Sequence, residues 1–135
     1  MNASGRTVAA LVAALSSCAA LGGGRPLSRG PELATGEGEV VFEKSGDGGT
    51  AVELSVRNLP EPEGLDPPGY AYVAWAQDSP ENPPLNLGFL RMGDEAGGEL
   101  KARTELDFFE LFITAEPAGD VERPTGRRLM WAARD

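Results

Sequence analysis

Few side chains in this sequence could carry covalent chemistry. Cys18 is the only thiol, and there is no histidine. The commonest general base and the commonest imidazole metal ligand are therefore both missing. Ser55 and Ser79 have no imidazole to activate them, and no Gly-x-Ser-x-Gly elbow occurs. Carboxylates are plentiful, among them Glu37, Glu39, Asp78, Glu81, Asp94 and Glu95, but no Asp-x-Asp-x-Asp-Gly loop gathers them around a divalent cation. They read as solvated surface charge. A single cysteine excludes an internal disulfide framework and a Cys-cluster zinc site. The expectation is a non-enzymatic protein with no cofactor and no metal. A hydrolase using two carboxylates stays open as an alternative, because the separation that matters there lies in space and not in sequence.

Cys18 has a chemistry of its own. Met1–Arg6 is short and polar with one positive charge, Thr7–Leu15 (TVAALVAAL) is a compact apolar run, and Leu15-Ser16-Ser17-Cys18 follows. Such a start describes a secretory signal, and the run falls short of the roughly 20 apolar residues that span a bilayer as a helix. Leu-Ser-Ser-Cys resembles the lipobox of bacterial lipoproteins. The resemblance implies removal of residues 1–17, transfer of a diacylglycerol to the Cys18 thiol, and anchoring at about 0.8 kcal/mol per buried methylene. Two other readings stand beside it: a structural cysteine buried in an N-terminal helix, and ordinary signal cleavage near Ala19–Ala20. Removing 1–17 takes Arg6 away and leaves eleven basic residues against 21 acidic ones, a charge of −10. Ala19 stands where aspartate would retain a lipoprotein at the inner membrane. Under the familiar Gram-negative sorting rule this points to the outer membrane, on its periplasmic side.

The acidic balance narrows the partners. Twelve Lys and Arg against 21 Asp and Glu give a formal charge of −9. That argues against nucleic acid and against electrostatic docking on anionic lipid. What remains is the membrane through a lipid anchor and an envelope protein as partner; the pattern is silent on oligomeric state. With 135 residues the chain has room for one ordinary domain.

The pattern along the chain predicts how that domain is built. Ala19–Ala34 (AALGGGRPLSRGPELA) has no usable periodicity and several helix and strand breakers. It reads as a flexible tether over 18–35, about 55 Å at full extension, that lifts the domain off the lipid. From residue 36 to 135, short alternating runs are separated by turn chemistry. Expected strands are Glu39–Lys44, Ala51–Asn58, Tyr70–Gln77, Asn86–Met92, Glu99–Thr104, Asp107–Ala115 and Arg127–Ala133. Val52, Leu54 and Val56 should face inward, as should Leu100 with Ala102 and the series Phe109, Leu111, Ile113, Ala115. Ser45–Gly49 reads as a hairpin turn, and Leu59–Gly69 and Asp78–Pro84 as proline-rich loops. About seven strands with turns every 8–12 residues predict an all-β, two-sheet antiparallel β-sandwich. Trp75 is expected to be buried in it. Phe108 and Phe112 fall opposite Phe109 and Leu111, and form an apolar patch unless a loop covers them.

The last long loop is the sharpest local feature. Pro117 and Pro124 restrict the backbone, while Gly119 and Gly126 permit positive φ. One reading is structural, with Glu116 or Thr125 hydrogen-bonding loop amides. The other makes it an interaction loop of Glu116, Pro117, Gly119, Asp120, Pro124, Thr125 and Gly126.

Three segments in order carry a family resemblance. Tyr70-Ala71-Tyr72-Val73-Ala74-Trp75 looks like a motif of tyrosine followed shortly by tryptophan. Asn86-Leu87-Gly88-Phe89-Leu90 resembles L-G-x-L. Glu116-Pro117-Ala118-Gly119-Asp120 with Pro124-Thr125-Gly126 resembles E-P-x-G-G…P-T-G before the final strand. The series, spanning Glu39–Ala133, is similar to the C-terminal extracytoplasmic domain of anti-sigma-K factors. It implies a β-sandwich beyond the membrane and a sensing or binding role in the envelope. In that family the domain regulates a separate cytoplasmic part that holds a sigma factor. Here a lipobox stands in that part's place, so sigma-factor inhibition does not carry over. A regulatory component of an extracytoplasmic sigma-factor pathway, acting with a separate partner, is the alternative. Asp120 replaces the family's usual second glycine.

Overall fold

The computed structural model describes residues 24–65, 68–93 and 96–135. Cys18 and the signal segment lie outside them. Ten strands form two antiparallel five-stranded sheets. They are β1 (Arg25–Pro26), β2 (Ser28–Arg29), β3 (Glu37–Lys44), β4 (Thr50–Arg57), β5 (Ala71–Gln77), β6 (Leu85–Phe89), β7 (Arg91–Met92), β8 (Gly98–Thr104), β9 (Phe109–Glu116) and β10 (Met130–Arg134). One sheet has the order β1-β3-β4-β8-β7 and the other β2-β10-β9-β5-β6. The expected two-sheet sandwich is the fold.

Period-two alternation builds its interior. Along β4, Val52, Leu54 and Val56 are buried while Glu53, Ser55 and Arg57 are exposed. From the facing sheet come Tyr72, Ala74 and Ala76 of β5, Phe109, Leu111, Ile113 and Ala115 of β9, and Met130 and Ala132 of β10. Leu100 and Phe42 pack against this core, and Phe42 meets the Phe109 ring edge-on at 5.4 Å. The hairpin between β3 and β4 turns through Gly48 and Gly49, both at positive φ.

Two places depart from the sequence pattern, and both close a flank of the sandwich. Asn86–Met92 is not one strand. After β6 the chain crosses at buried Leu90 and joins the opposite sheet as β7, helped by an irregularity in the β5–β6 register. Gly88, at φ +129°, sits beside that break.

The second departure corrects the expected tether. Residues 24–35 belong to the domain. Arg25 and Pro26 pair with Val40 and Glu39 of β3, and Ser28 and Arg29 pair with Trp131 and Met130 of β10. Leu27, between the two strands, and Leu33 are buried in the core. A Cβ on Gly38 would lie 2.6 Å from Leu27 Cδ1, so the bare glycine is the seat for this leucine. The prolines and glycines that suggested a spacer instead shape two edge strands, each held by a partner distant in sequence.

At one end of the sandwich the connections β2–β3, β4–β5, β7–β8 and β9–β10 come together. The Tyr72 hydroxyl donates to the Pro60 carbonyl there, and Leu59 N–H donates to the Ala96 carbonyl. Burial, and secondarily the negative charge of Glu63, push the Tyr72 phenol from 10.0 up to about 12.

Two predictions follow from this arrangement. Leu33→Ala should cost about 2–4 kcal/mol in urea unfolding; an unchanged midpoint would mean that the segment is a tether after all. For Tyr72, the folded protein keeps a phenolic proton that the unfolded chain releases near pH 10. Its contribution to stability is complete below that value and is lost as the pH rises through about 12. Urea midpoints should therefore fall over this window, and fall less in Tyr72→Phe.

Candidate functional site

The loop after β9 is organised by a carboxylate that water does not reach. Glu116 closes β9 and is 0% exposed. Burying a charge is costly unless every lone pair finds a donor, and here donors surround it. The Thr114 hydroxyl donates to Oε2. Thr125 N–H is shared between the two carboxylate oxygens, at 3.1 and 3.0 Å. The Thr125 hydroxyl donates to Oε1 at 2.6 Å, and Gly126 N–H donates to Oε2 at 3.2 Å. The chain thus leaves β9, loops out and is pinned nine residues later to the residue it left. The structural reading of Glu116 and Thr125 matches this geometry.

The network runs on into an apolar layer. Trp75 Nε1–H donates to Thr114 Oγ1 at 2.9 Å. Trp75 is fully buried, as expected, but not between the sheets. It lies on the outer face of its sheet with Val73 and Phe112, and Val121 and Trp131 pack against them. The Trp75 and Phe112 rings stack 6.4 Å apart. The returning 117–126 loop supplies Val121 as part of the lid. The Arg128 guanidinium sits 4.1 Å above the Phe112 ring. Of the two phenylalanines expected on this face, Phe112 is covered and Phe108 stays 64% exposed.

A residue that the pattern did not single out clamps the middle of the loop. Asn86 of β6 donates from Nδ2 to the carbonyls of Gly119 at 3.0 Å and Val121 at 2.8 Å. Its Oδ1 accepts Gly88 N–H at 2.7 Å. An amide side chain inside an otherwise apolar strand was the available signal. The two loop glycines serve for closeness and not for positive φ. A Cβ on Gly119 would lie 2.5 Å from Phe89 Cδ1, and one on Gly126 would lie 2.6 Å from the Ala115 carbonyl oxygen. Neither residue is at positive φ. Asp120 is exposed and has no positive φ, so this position in the loop accepts a side chain. Pro117 is exposed and Pro124 half-buried.

Beside the pinned end of the loop is a cleft of about 300 Å³, lined by Glu32, Leu65, Ala115, Gly126, Arg127 and Leu129. Its carboxylate, Glu32, is 3.3 Å from the Arg127 guanidinium. Glu116 lies behind the Gly126 backbone with its oxygens already occupied, so it has no lone pair to offer a substrate proton. Of the other carboxylates noted, Glu37 pairs with Arg57 at 2.9 Å; Asp94 and Glu95 lie outside the described residues. Among the described residues, no group of three His, Cys, Asp or Glu side chains converges to hold a metal.

No family model matches this chain, and no curated protein or solved structure matches it at a significant level.

Glu116→Ala should cost about 2–4 kcal/mol, because it strands the Thr125 and Gly126 amides and the Thr114 hydroxyl. The amides of Thr125 and Gly126 should lose hydrogen-exchange protection well before the β4 amides do. Protection that survives at both would show that the carboxylate does not hold the loop.

Proposed function

We propose that this chain is an extracytoplasmic lipoprotein, anchored through Cys18, whose β-sandwich binds or senses another envelope component by contact. The observation that carries the reading is the 117–126 loop. A buried carboxylate, a threonine and an asparagine hold its backbone in one shape, next to a cleft and at the end where four connections meet. A preformed surface of this kind suits recognition, since little conformational entropy remains to be lost on binding. The carboxylate at its centre is consumed by structural donors, which favours contact over acid–base catalysis. The anchor rests on Leu15-Ser16-Ser17-Cys18 after a short apolar run. No helix among the described residues is long and apolar enough to cross a membrane.

The likeness of the Tyr70–Trp75, Asn86–Leu90 and Glu116–Gly126 segments to anti-sigma-K domains supports the same class of role. Of these, the structure-bearing residues are Trp75, Asn86, Glu116 and Thr125, which join in one layer. These residues hold the surface in shape, and partner choice is left to exposed positions such as Asp120 and Glu122.

Labelled palmitate should enter the wild-type protein and not Cys18→Ala, and Cys18→Ala should move from the membrane fraction to the soluble one. A variant that still sediments with membranes and still takes up label would refute the anchor. Cross-linking in intact envelopes should trap a partner with the wild type and at least tenfold less with Asp120→Arg, whose fold should be unaffected. Equal trapping would remove the loop from the binding surface.

A further inference from the structure

Net charge conceals where the charges are. The segments that build β1, β2 and β10 carry Arg25, Arg29, Arg127, Arg128 and Arg134 against only Glu32 and Asp135, a surplus of three positive charges. Residues 36–126 hold six basic and nineteen acidic side chains. In the fold β1 is the edge of one sheet, while β2 is the edge of the other with β10 beside it. The arginines therefore share one flank and the face adjoining it; Glu39, opposite Pro26, and Glu110, bonded to Arg128, border them and leave a local surplus of one positive charge. Three of them make ion pairs there: Arg25 with Asp135, Arg127 with Glu32 and Arg128 with Glu110. All three keep more than two-fifths of their side chain exposed, at 47%, 69% and 43%. Exposed pairs of this kind are weak and exchange readily for another anion. Arg134 has no salt-bridge partner among the described residues, and its nearest aromatic is Phe108.

The same flank is where the anchor would attach. Arg25 is the first strand residue among the described residues, and it stands seven residues after Cys18. Seven residues reach about 25 Å at full stretch. A sheet of five strands is itself about 20 Å wide. The β6–β7 flank could be turned towards the bilayer only with the leash drawn tight around the domain. The basic flank lies next to it without strain.

We propose that the β1–β2–β10 flank is a docking surface for anionic lipid headgroups, so that the anchored domain lies on its own membrane with the β6–β7 flank turned outward. This rests on the lipid anchor at Cys18. The occupant is a bilayer bearing phosphatidylglycerol or a comparable acidic lipid. Headgroup phosphates would replace Asp135 and Glu32 as partners of Arg25 and Arg127. The overall charge of −10 on the processed protein does not oppose this, because charges beyond about 10 Å are largely screened at physiological salt.

The test uses the processed, acylated protein, in which Cys18 is blocked and an introduced cysteine is the only free thiol. Ser28→Cys on β2 and Met92→Cys on β7 are each labelled with an environment-sensitive fluorophore. The proteins are inserted in vesicles of phosphatidylcholine alone or mixed with phosphatidylglycerol. Quenching by aqueous acrylamide should fall at least threefold at position 28 when phosphatidylglycerol is present, and recover in high salt. Position 92 should not change. Arg25→Gln with Arg127→Gln should abolish the difference at position 28. Equal quenching at both positions, or protection at 28 that ignores lipid charge, overturns the docking surface and leaves the anchor standing. Absence of the diacylglycerol mass on Cys18 overturns the anchor, and the docking with it.

Discussion

A carboxylate removed from water sets the terms for half of this molecule. Glu116 is fully buried, and a charge or acid in that position is tolerable only while donors encircle it. Thr114, Thr125 and Gly126 supply them. The requirement propagates in both directions. Towards the loop, it dictates where the backbone must return after nine residues. Towards the sheet, it turns the Thr114 hydroxyl so that its oxygen can accept from Trp75. The tryptophan then lies flat against Phe112 on the outer face, which would be wet without the loop. Lid and floor are coupled through one polar chain, so neither forms well without the other.

The second organising device is the way the chain changes sheets. Besides the longer connections β2–β3, β4–β5 and β8–β9, it crosses through a single residue at Leu27 between β1 and β2 and at Leu90 between β6 and β7. Both leucines are buried. Each crossing puts an apolar side chain at the open side of the core and ties the two layers together. The sandwich therefore has closed sides without being a barrel, and its four outermost strands are the products of these crossings.

Much of this was legible from alternation, and what was not has physical causes. Val52, Leu54 and Val56 announce their side of β4, and Phe109 to Ala115 announce theirs, because burial on one face imposes period two. The burial of Trp75 was foreseen, but its layer was not. Alternation separates the two faces of β5 without saying that the outer one acquires a lid. Strands β1 and β2 are two residues long, below any period, and flanked by breakers. Their stability comes from Gly38 and from β10, which lie far along the chain. The Asn86–Met92 run looked like one strand because its break depends on Gly88 and on which sheet Leu90 reaches. In the loop, Glu116 and Thr125 could be suspected of bonding amides. Asn86 stands out only as an amide in an apolar strand; its partners at 119 and 121 are visible only once β6 lies beside the loop.

The crossings also govern how copies of the domain can meet. Exposed strand edges are templates for edge-to-edge and fibrillar association. Here β1, β2 and β7 offer only two residues each, too few for a ladder to propagate. The longer β6 is interrupted beside Gly88, and the part of β3 that β1 leaves uncovered ends in Glu43 and Lys44. With β6 and the Leu100–Thr104 stretch of β8 that β7 leaves uncovered, the fold offers a neighbour free edges of no more than five residues, too short for extended cross-β growth.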